Sequence, residues 1–427
     1  MRVLHALLAV VVVTAGLVGP AATATPSSPA PTAGGGDVTV AATTPPSPAQ
    51  TDGSRRSPPP SEMTSVLAIQ VNATNRSTIR ETYVDFGPAV AFGTNESSYR
   101  LGTIRALNRV RNADDQGAAL RRAVSRVGAR SDALGRAQRA ALDAYITGDA
   151  DARTTLVRLA RIDREARALD RRRERLAGLA DELGVAMNDA RVAALGRELA
   201  TYTGPVRARI HAALTGDAPP TQVYVAAAPR SVTLAATVEG SYVRETYRGD
   251  VRRTGPGEVS EAEARNAVAR SYPTVWAARE NVSVDPGGNA VVEVRYAGGR
   301  LTAHVGAGNG RVFRDVHVQS LDRAATNETA VNVRDGLRLV VNRTYAGAPM
   351  RIRVTDTDGD PVRANVSVGP EGGESVTVGS TDGNGGVWAL TPDGRFTVVA
   401  IHDGSSVVFL RMDPLATPRV NDRPSRS

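Results

Sequence analysis

From Glu96 to Gly204 the chain contains no proline, and the stretch is dominated by alanine, arginine and leucine. Few features narrow the choice of fold more, because such a segment has helix formers at most positions and nothing to break a helix. Within it Leu120, Val124, Val127, Leu134, Ala141 and Tyr145 follow an alternating three-and-four spacing, with Ser131 and Gln138 in the two polar slots. Leu159, Ile162, Ala166, Leu169, Leu176, Ala180 and Leu183 repeat the rule, broken at Arg173. That spacing puts one apolar stripe on each of two helices. Thr147, Gly148 and Asp149 stand between them as a stop and a new N-cap. The pattern predicts a long antiparallel helical hairpin, coiled-coil-like, with roughly 30 residues and about 45 Å per arm. Shorter helices are expected over 97–112 and 185–214.

The remaining composition bounds the chemistry. At 427 residues the chain suits two or three folded units. Aromatics are only 4% of it, and 41 glycines and 25 prolines imply much turn and linker. There is no cysteine, and all 52 basic side chains are arginine. Disulfides, thiolate metal sites, a Schiff-base lysine and a P-loop lysine are therefore excluded.

Arg2, the apolar run Val3 to Val18, Gly19-Pro20 and the triplet Ala22, Thr23, Ala24 have the parts of a signal peptide spanning 1–24. The alternative is an uncleaved N-terminal anchor, which would be the chain's contact with a membrane. Seven acceptor triplets begin at Asn72, Asn75, Asn95, Asn281, Asn327, Asn342 and Asn365 and point to an exported glycoprotein, extracellular or at the cell surface. Residues 25–62, rich in Pro, Ser and Thr, are expected to form a disordered spacer.

The folded part divides by pattern. Residues 63–216 read as a β lead-in, with strands near 65–71 and 83–92, followed by the helical hairpin. Residues 217–326 form an α+β domain: three strands, a helix opened by Ser260 with Glu263 in the capping-box position, then four more strands. Residues 327–414 carry seven short strands at sandwich spacing, beginning with one over 331–341, and 415–427 is a disordered tail. The fold class is thus multidomain α+β with a C-terminal Ig-like β-sandwich.

Formal charge is uneven: 97–216 holds 23 Arg against 14 acids, and 327–427 holds 11 against 12. Acids interspersed at helical spacing and the lack of interleaved aromatics argue against a nucleic-acid partner. Arg171, Arg172 and Arg173 form the candidate contact patch. His211, His304, His317 and His402 each stand without a second histidine at ligand spacing. Asp356, Asp358 and Asp360 place three carboxylates around Gly359, a ligand set for calcium, although a β-turn is the favoured reading of the same residues. No other cofactor is indicated. An enzyme would have to rely on separated acids such as Glu245, Glu293 and Asp315, whose spacing suggests no mechanism.

Three resemblances add to this. The run Met350 to Asp356, the turn Thr381-Asp382-Gly383 and the strand from Pro392 through Phe396 to Val398 resemble a carboxypeptidase-regulatory-like or bacterial Ig-like sandwich, which implies a spacer or adhesion module without catalysis. The helix from Ser260, the strand Val291 to Tyr296 and the turn Gly308 to Val312 resemble a PepSY unit, which implies peptidase regulation. The layout as a whole resembles a family of exported proteins from halophilic archaea, although a net charge of +8 departs from the acidic surfaces usual in that group. These features predict a non-enzymatic surface or secreted protein, a helical hairpin projecting from an α+β base, whose partner is a protein, an envelope glycoprotein or a second copy of itself. The alternative is a regulator or inhibitor of an exported peptidase.

Overall fold

The computed structural model describes residues 66–70, 75–80, 86–253, 255, 257–324 and 329–420. The expected signal peptide, the spacer, Asn72, Asn327 and residues 421–427 lie outside the described residues.

Five helices come first: α1 (Phe86–Arg111), α2 (Gln116–Thr147), α3 (Ala152–Glu182), α4 (Asp189–Ala200) and α5 (Pro205–Thr215). Side-chain oxygens of Asp115, Asp151 and Asn188 accept the amides of Ala118, Thr154 and Arg191, capping α2, α3 and α4. Gly148 closes α2 at φ 85°, a left-handed position that glycine adopts at little cost. The expected 185–214 helix is two helices, because Gly204 is extended and Pro205 starts α5 at its first position. The strand expected over 83–92 is also corrected: from Phe86 onward it is the beginning of α1, with Pro88 in a first turn that needs no amide donor there. The strand of the lead-in is instead β1 (Asn75–Arg80).

An eight-stranded antiparallel sheet follows. Its strands are β1, β2 (Gln222–Ala228), β3 (Ser231–Val238), β4 (Ser241–Arg248), β5 (Arg279–Asp285), β6 (Asn289–Tyr296), β7 (Gly299–Gly306) and β8 (Arg311–Ser320), in the order β1-β2-β3-β4-β8-β7-β6-β5. Alternation along β2 and β3 decides the layers. Val223, Val225, Ala227, Val232, Leu234 and Ala236 share one core with Leu120, Leu142, Leu156, Leu159 and Leu176 of α2 and α3. The long pair therefore does not project; it is one layer of a helical cluster lying on the sheet, and its polar slots Ser131 and Gln138 are buried. On the opposite face, α6 (Glu261–Ser271) and α7 (Pro273–Ala277) pack through Ala264, Val268, Tyr272 and Val275 onto Val292, Val294, Leu301 and Ala303. The capping box of α6 forms as expected between Ser260 and Glu263.

The C-terminal part is a sandwich of two four-stranded sheets. β9 (Thr329–Arg334), β10 (Leu337–Asn342), β11 (Pro349–Asp356) and β14 (Gly386–Leu390) form one, ordered β14-β11-β10-β9. β12 (Asn365–Pro370), β13 (Val376–Ser380), β15 (Phe396–His402) and β16 (Ser406–Met412) form the other, ordered β13-β12-β15-β16. The single strand expected over 331–341 is a hairpin, since Asp335 and Gly336 both take positive φ, 50° and 75°, as a two-residue hairpin turn requires. The sandwich meets the large sheet through Tyr242 Oη, which donates to Gly347 O at 3.0 Å, and through Leu390 N–H, which donates to Gln222 Oε1 at 2.8 Å.

Candidate functional site

β4 and β8 pair at the middle of the sheet, and their register sets Arg244 opposite His317 and Thr246 opposite Asp315 on one face. Glu245 and Arg314 project from the other face, toward the helices. Charged side chains at alternate positions of two adjacent central strands thus enter both cores.

On the α6 face Asp315 is fully buried. Its Oδ2 accepts from Tyr272 Oη at 3.0 Å and from Leu67 N–H at 3.1 Å, with His317 Nε2 at 3.3 Å and Arg244 Nη1 3.8 Å from Oδ1. Burial alone would raise this acid, but His317, Arg244 and the Leu67 amide outweigh it and hold the carboxyl below its ordinary value. The extended stretch Val66 to Gln70 is held as a ligand would be. Arg244 Nη2 donates to Leu67 O at 3.0 Å, Arg248 donates to Ala68 O, and Gln70 Nε2 donates to Asp250 Oδ2 at 2.9 Å. Its first residue pairs with the far end of the chain: Val66 N–H donates to Pro418 O at 2.7 Å, and Val420 N–H donates back to Val66 O at 3.0 Å.

On the helical face Arg207 Nε donates to Glu245 Oε1 at 3.0 Å, the two side chains being 3% and 4% exposed. Arg207 Nη1 also donates to Gln138 Oε1 and Tyr202 O, each at 2.8 Å. Burial raises Glu245 even against the pull of Arg207 and Arg314. Asp163 Oδ1 accepts Gly204 N–H at 2.8 Å, while its Oδ2 takes Arg167 Nε at 2.9 Å. Gly204 has no room for a side chain, because a Cβ there would overlap the Glu245 carboxylate. Arg314 donates to Thr203 O, and its Nη1 lies 2.7 Å from His304 Nε2. Burial, then Arg314 and Arg252, push His304 well below its ordinary value, so the imidazole is neutral and its Nε2 accepts a hydrogen bond from the guanidinium. Arg314 itself, lowered chiefly by burial, comes down to about 10. In these groups each acid is opposed by bases and hydroxyl or amide donors. Thr246 Oγ1, the hydroxyl facing Asp315, is engaged with Thr233 Oγ1 at 3.0 Å. Chemically the arrangement ties helices, sheet and the 66–70 segment together.

A second feature faces solvent. α1 and α3 enclose a cleft of about 380 Å³, lined among others by Phe92, Arg100, Arg161, Arg164, Arg171 and Arg175. Phe92 is buried at its floor, with the His211 ring edge-on at 4.6 Å and the Arg161 guanidinium over its face at 5.9 Å.

The residues singled out from sequence are dispersed. Of the arginine patch, Arg171 enters the cleft, Arg172 Nε donates to Thr103 Oγ1 at 3.0 Å, and Arg173 Nε pairs with Asp170 at 2.7 Å. Asp356 Oδ1 accepts the amides of Asp358 and Asp360 at 3.0 and 2.8 Å, the hydrogen bonding of a carboxylate-capped turn. Asn95, Asn281 and Asn365 are exposed; Asn342 is buried, and Asn75 Nδ2 donates to Tyr145 O at 2.8 Å. The four histidines stand apart in sequence, but three of them have charged partners: His304 meets Arg314, His402 meets Asp403, and His317 meets Asp315 two positions away on one strand face, a period-two signal that spacing between histidines does not carry. The cleft too has a signal in the sequence, since Arg161, Arg164, Arg171 and Arg175 with Ala168 keep the same three-and-four spacing as the apolar stripe of α3.

Comparison with known families divides the chain in three. Residues 1–219 match a domain of unknown function (DUF7096), 223–325 match a family of unknown function (DUF7094), and 328–409 match the archaeal fibronectin-III type-like domain. No curated protein and no solved structure matches the chain.

Proposed function

Since the chain belongs to the DUF7096 family, an archaeal family of unknown function that here carries a C-terminal Ig/Fn3-like domain, we propose from its own charges that it is a non-enzymatic exported protein, secreted or held at the cell surface, with a structural and binding role. One contrast carries this reading. The interior arginines and acids are engaged with one another, whereas the cleft between α1 and α3 presents arginines to solvent. The coiled-coil-like α2–α3 pair, with its three-and-four seam, serves as the spine behind that cleft. Export is supported by the Arg2 and apolar start of the sequence and by the sequons, of which Asn95, Asn281 and Asn365 are on the surface.

The regulator reading has an observation of its own. β5 ends the eight-stranded order with mostly exposed residues, so its outer edge offers backbone groups to an added strand, and α6 over the β5–β8 meander is the PepSY-like element. Crosslinking on intact cells with a C-terminally tagged copy separates the two. The reagent must be photoreactive or carboxyl-directed, because the chain has no lysine. Recovery of envelope glycoproteins or of a second copy supports the binding role. Recovery of one exported peptidase, crosslinked within 220–325, replaces it with the regulator.

A further inference from the structure

Resting on the reading of the protein as a binding module, we infer that the α1/α3 cleft is a site for a small polyvalent oxyanion bearing phosphate or carboxylate groups. Arg161 and Arg164 are three residues apart on α3, and Arg171 and Arg175 four apart, so each couple stands with Cβ atoms about 5–6 Å apart on one helix face. Ala168 lies between the couples, and its methyl group leaves open the roughly 10 Å of helix that separates Arg164 from Arg171. Arg100 of α1 adds a fifth guanidinium from across the gap.

Two other arginines of α3 are neutralised by an acid three or four residues away, Arg167 by Asp163 and Arg173 by Asp170. The cleft face is poorer in such pairs. Only Arg164 among the five is ion-paired, to Glu96 Oε2 at 2.7 Å, and Arg100, Arg161, Arg171 and Arg175 make no ion pair among the described residues. Four unmatched like charges around a concave surface repel one another, and a ligand carrying several negative charges relieves all of those repulsions together. Guanidinium groups take phosphate or carboxylate oxygens two at a time. A cleft of about 380 Å³ suits a small molecule.

Isothermal titration of the full chain with pyrophosphate and with citrate, at fixed ionic strength, tests the site. Binding of either at one per chain is expected, and which of the two binds identifies the phosphate or the carboxylate source. Arg171→Glu and Arg175→Glu should each weaken it about tenfold or more. Arg300→Glu, an exposed β7 position with the same change of net charge, should leave it unchanged. Both cleft residues are exposed, so circular dichroism and melting should stay as in the parent. No binding of either probe, or equal weakening by Arg300→Glu, overturns the inference. If the cellular crosslinks survive Arg171→Glu while no anion binds, the site is lost and the binding role stands; if the crosslinks yield only a peptidase while pyrophosphate or citrate still binds, the reverse holds.

Discussion

Arg207→Met is the perturbation that most directly tests whether the interior charges hold the fold. It leaves the Glu245 carboxylate, 4% exposed, without its guanidinium, and strips the donor from Gln138 Oε1 and Tyr202 O. Removing one partner of a buried pair costs about 3–5 kcal/mol. Part of that loss can be relieved by protonation, because burial already raises Glu245 and the variant raises it further. The sign follows from linkage. An acid raised in the folded state contributes stability below its unfolded range and loses that contribution as pH rises through the folded value. The deficit of Arg207→Met should therefore be smallest in acid and grow toward neutral pH. Urea unfolding followed by far-UV circular dichroism at several pH values measures this. Arg207→Met/Glu245→Leu should recover at least half of the loss, since replacing both members by apolar residues is often neutral. A single-variant loss below about 1 kcal/mol, or a double variant that loses the sum of the two singles, would refute the reasoning.

Three other outcomes are expected. His304 is held neutral by burial and by Arg314, so stability is complete above the ordinary imidazole range and falls as pH drops below it, by up to about 1.4 kcal/mol per pH unit; in a melting series His304→Gln should flatten that slope. Gly204→Ala should cost about 1–3 kcal/mol in thermal unfolding, because its Cβ and the Glu245 carboxylate need the same space. Asp356→Ala should loosen the β11–β12 turn by about 1 kcal/mol through its two amide bonds, while calcium or a chelator leaves the parent's melting temperature where it was; a calcium-dependent rise would restore the ion-site reading.

Much of the local structure was legible. Leu120 to Tyr145 and Leu159 to Leu183 showed their helices through spacing, and Ser260 with Glu263 showed where α6 begins. The misses have physical causes. Tyr83 to Phe92 is aromatic and β-branched enough to suggest a strand, but tertiary packing overrides that propensity: from Phe86 the chain is helical, and Phe92 is buried there against His211. Asp335-Gly336 is a strong hairpin signal that a single strand over 331–341 leaves no place for. Of the candidate site, Arg171 was found and Arg161, Arg164 and Arg175 were not, because cations at helical spacing ordinarily mark a solvated face.

What the sequence by itself determined is what depends on near neighbours: apolar period, caps, turns, the absence of thiols and lysines, and the excess of arginine in the helical region. Tertiary structure alone decided which charges meet. Leu67 N–H reaches Asp315 across 248 positions, and Arg207 reaches Glu245 across 38. Such pairs depend on strand register, and a slip of one residue of β8 against β4 would turn Asp315 away from Arg244 and onto the face that Glu245 occupies. That register is set by packing of the whole sheet against its helices, which no local stretch of residues encodes.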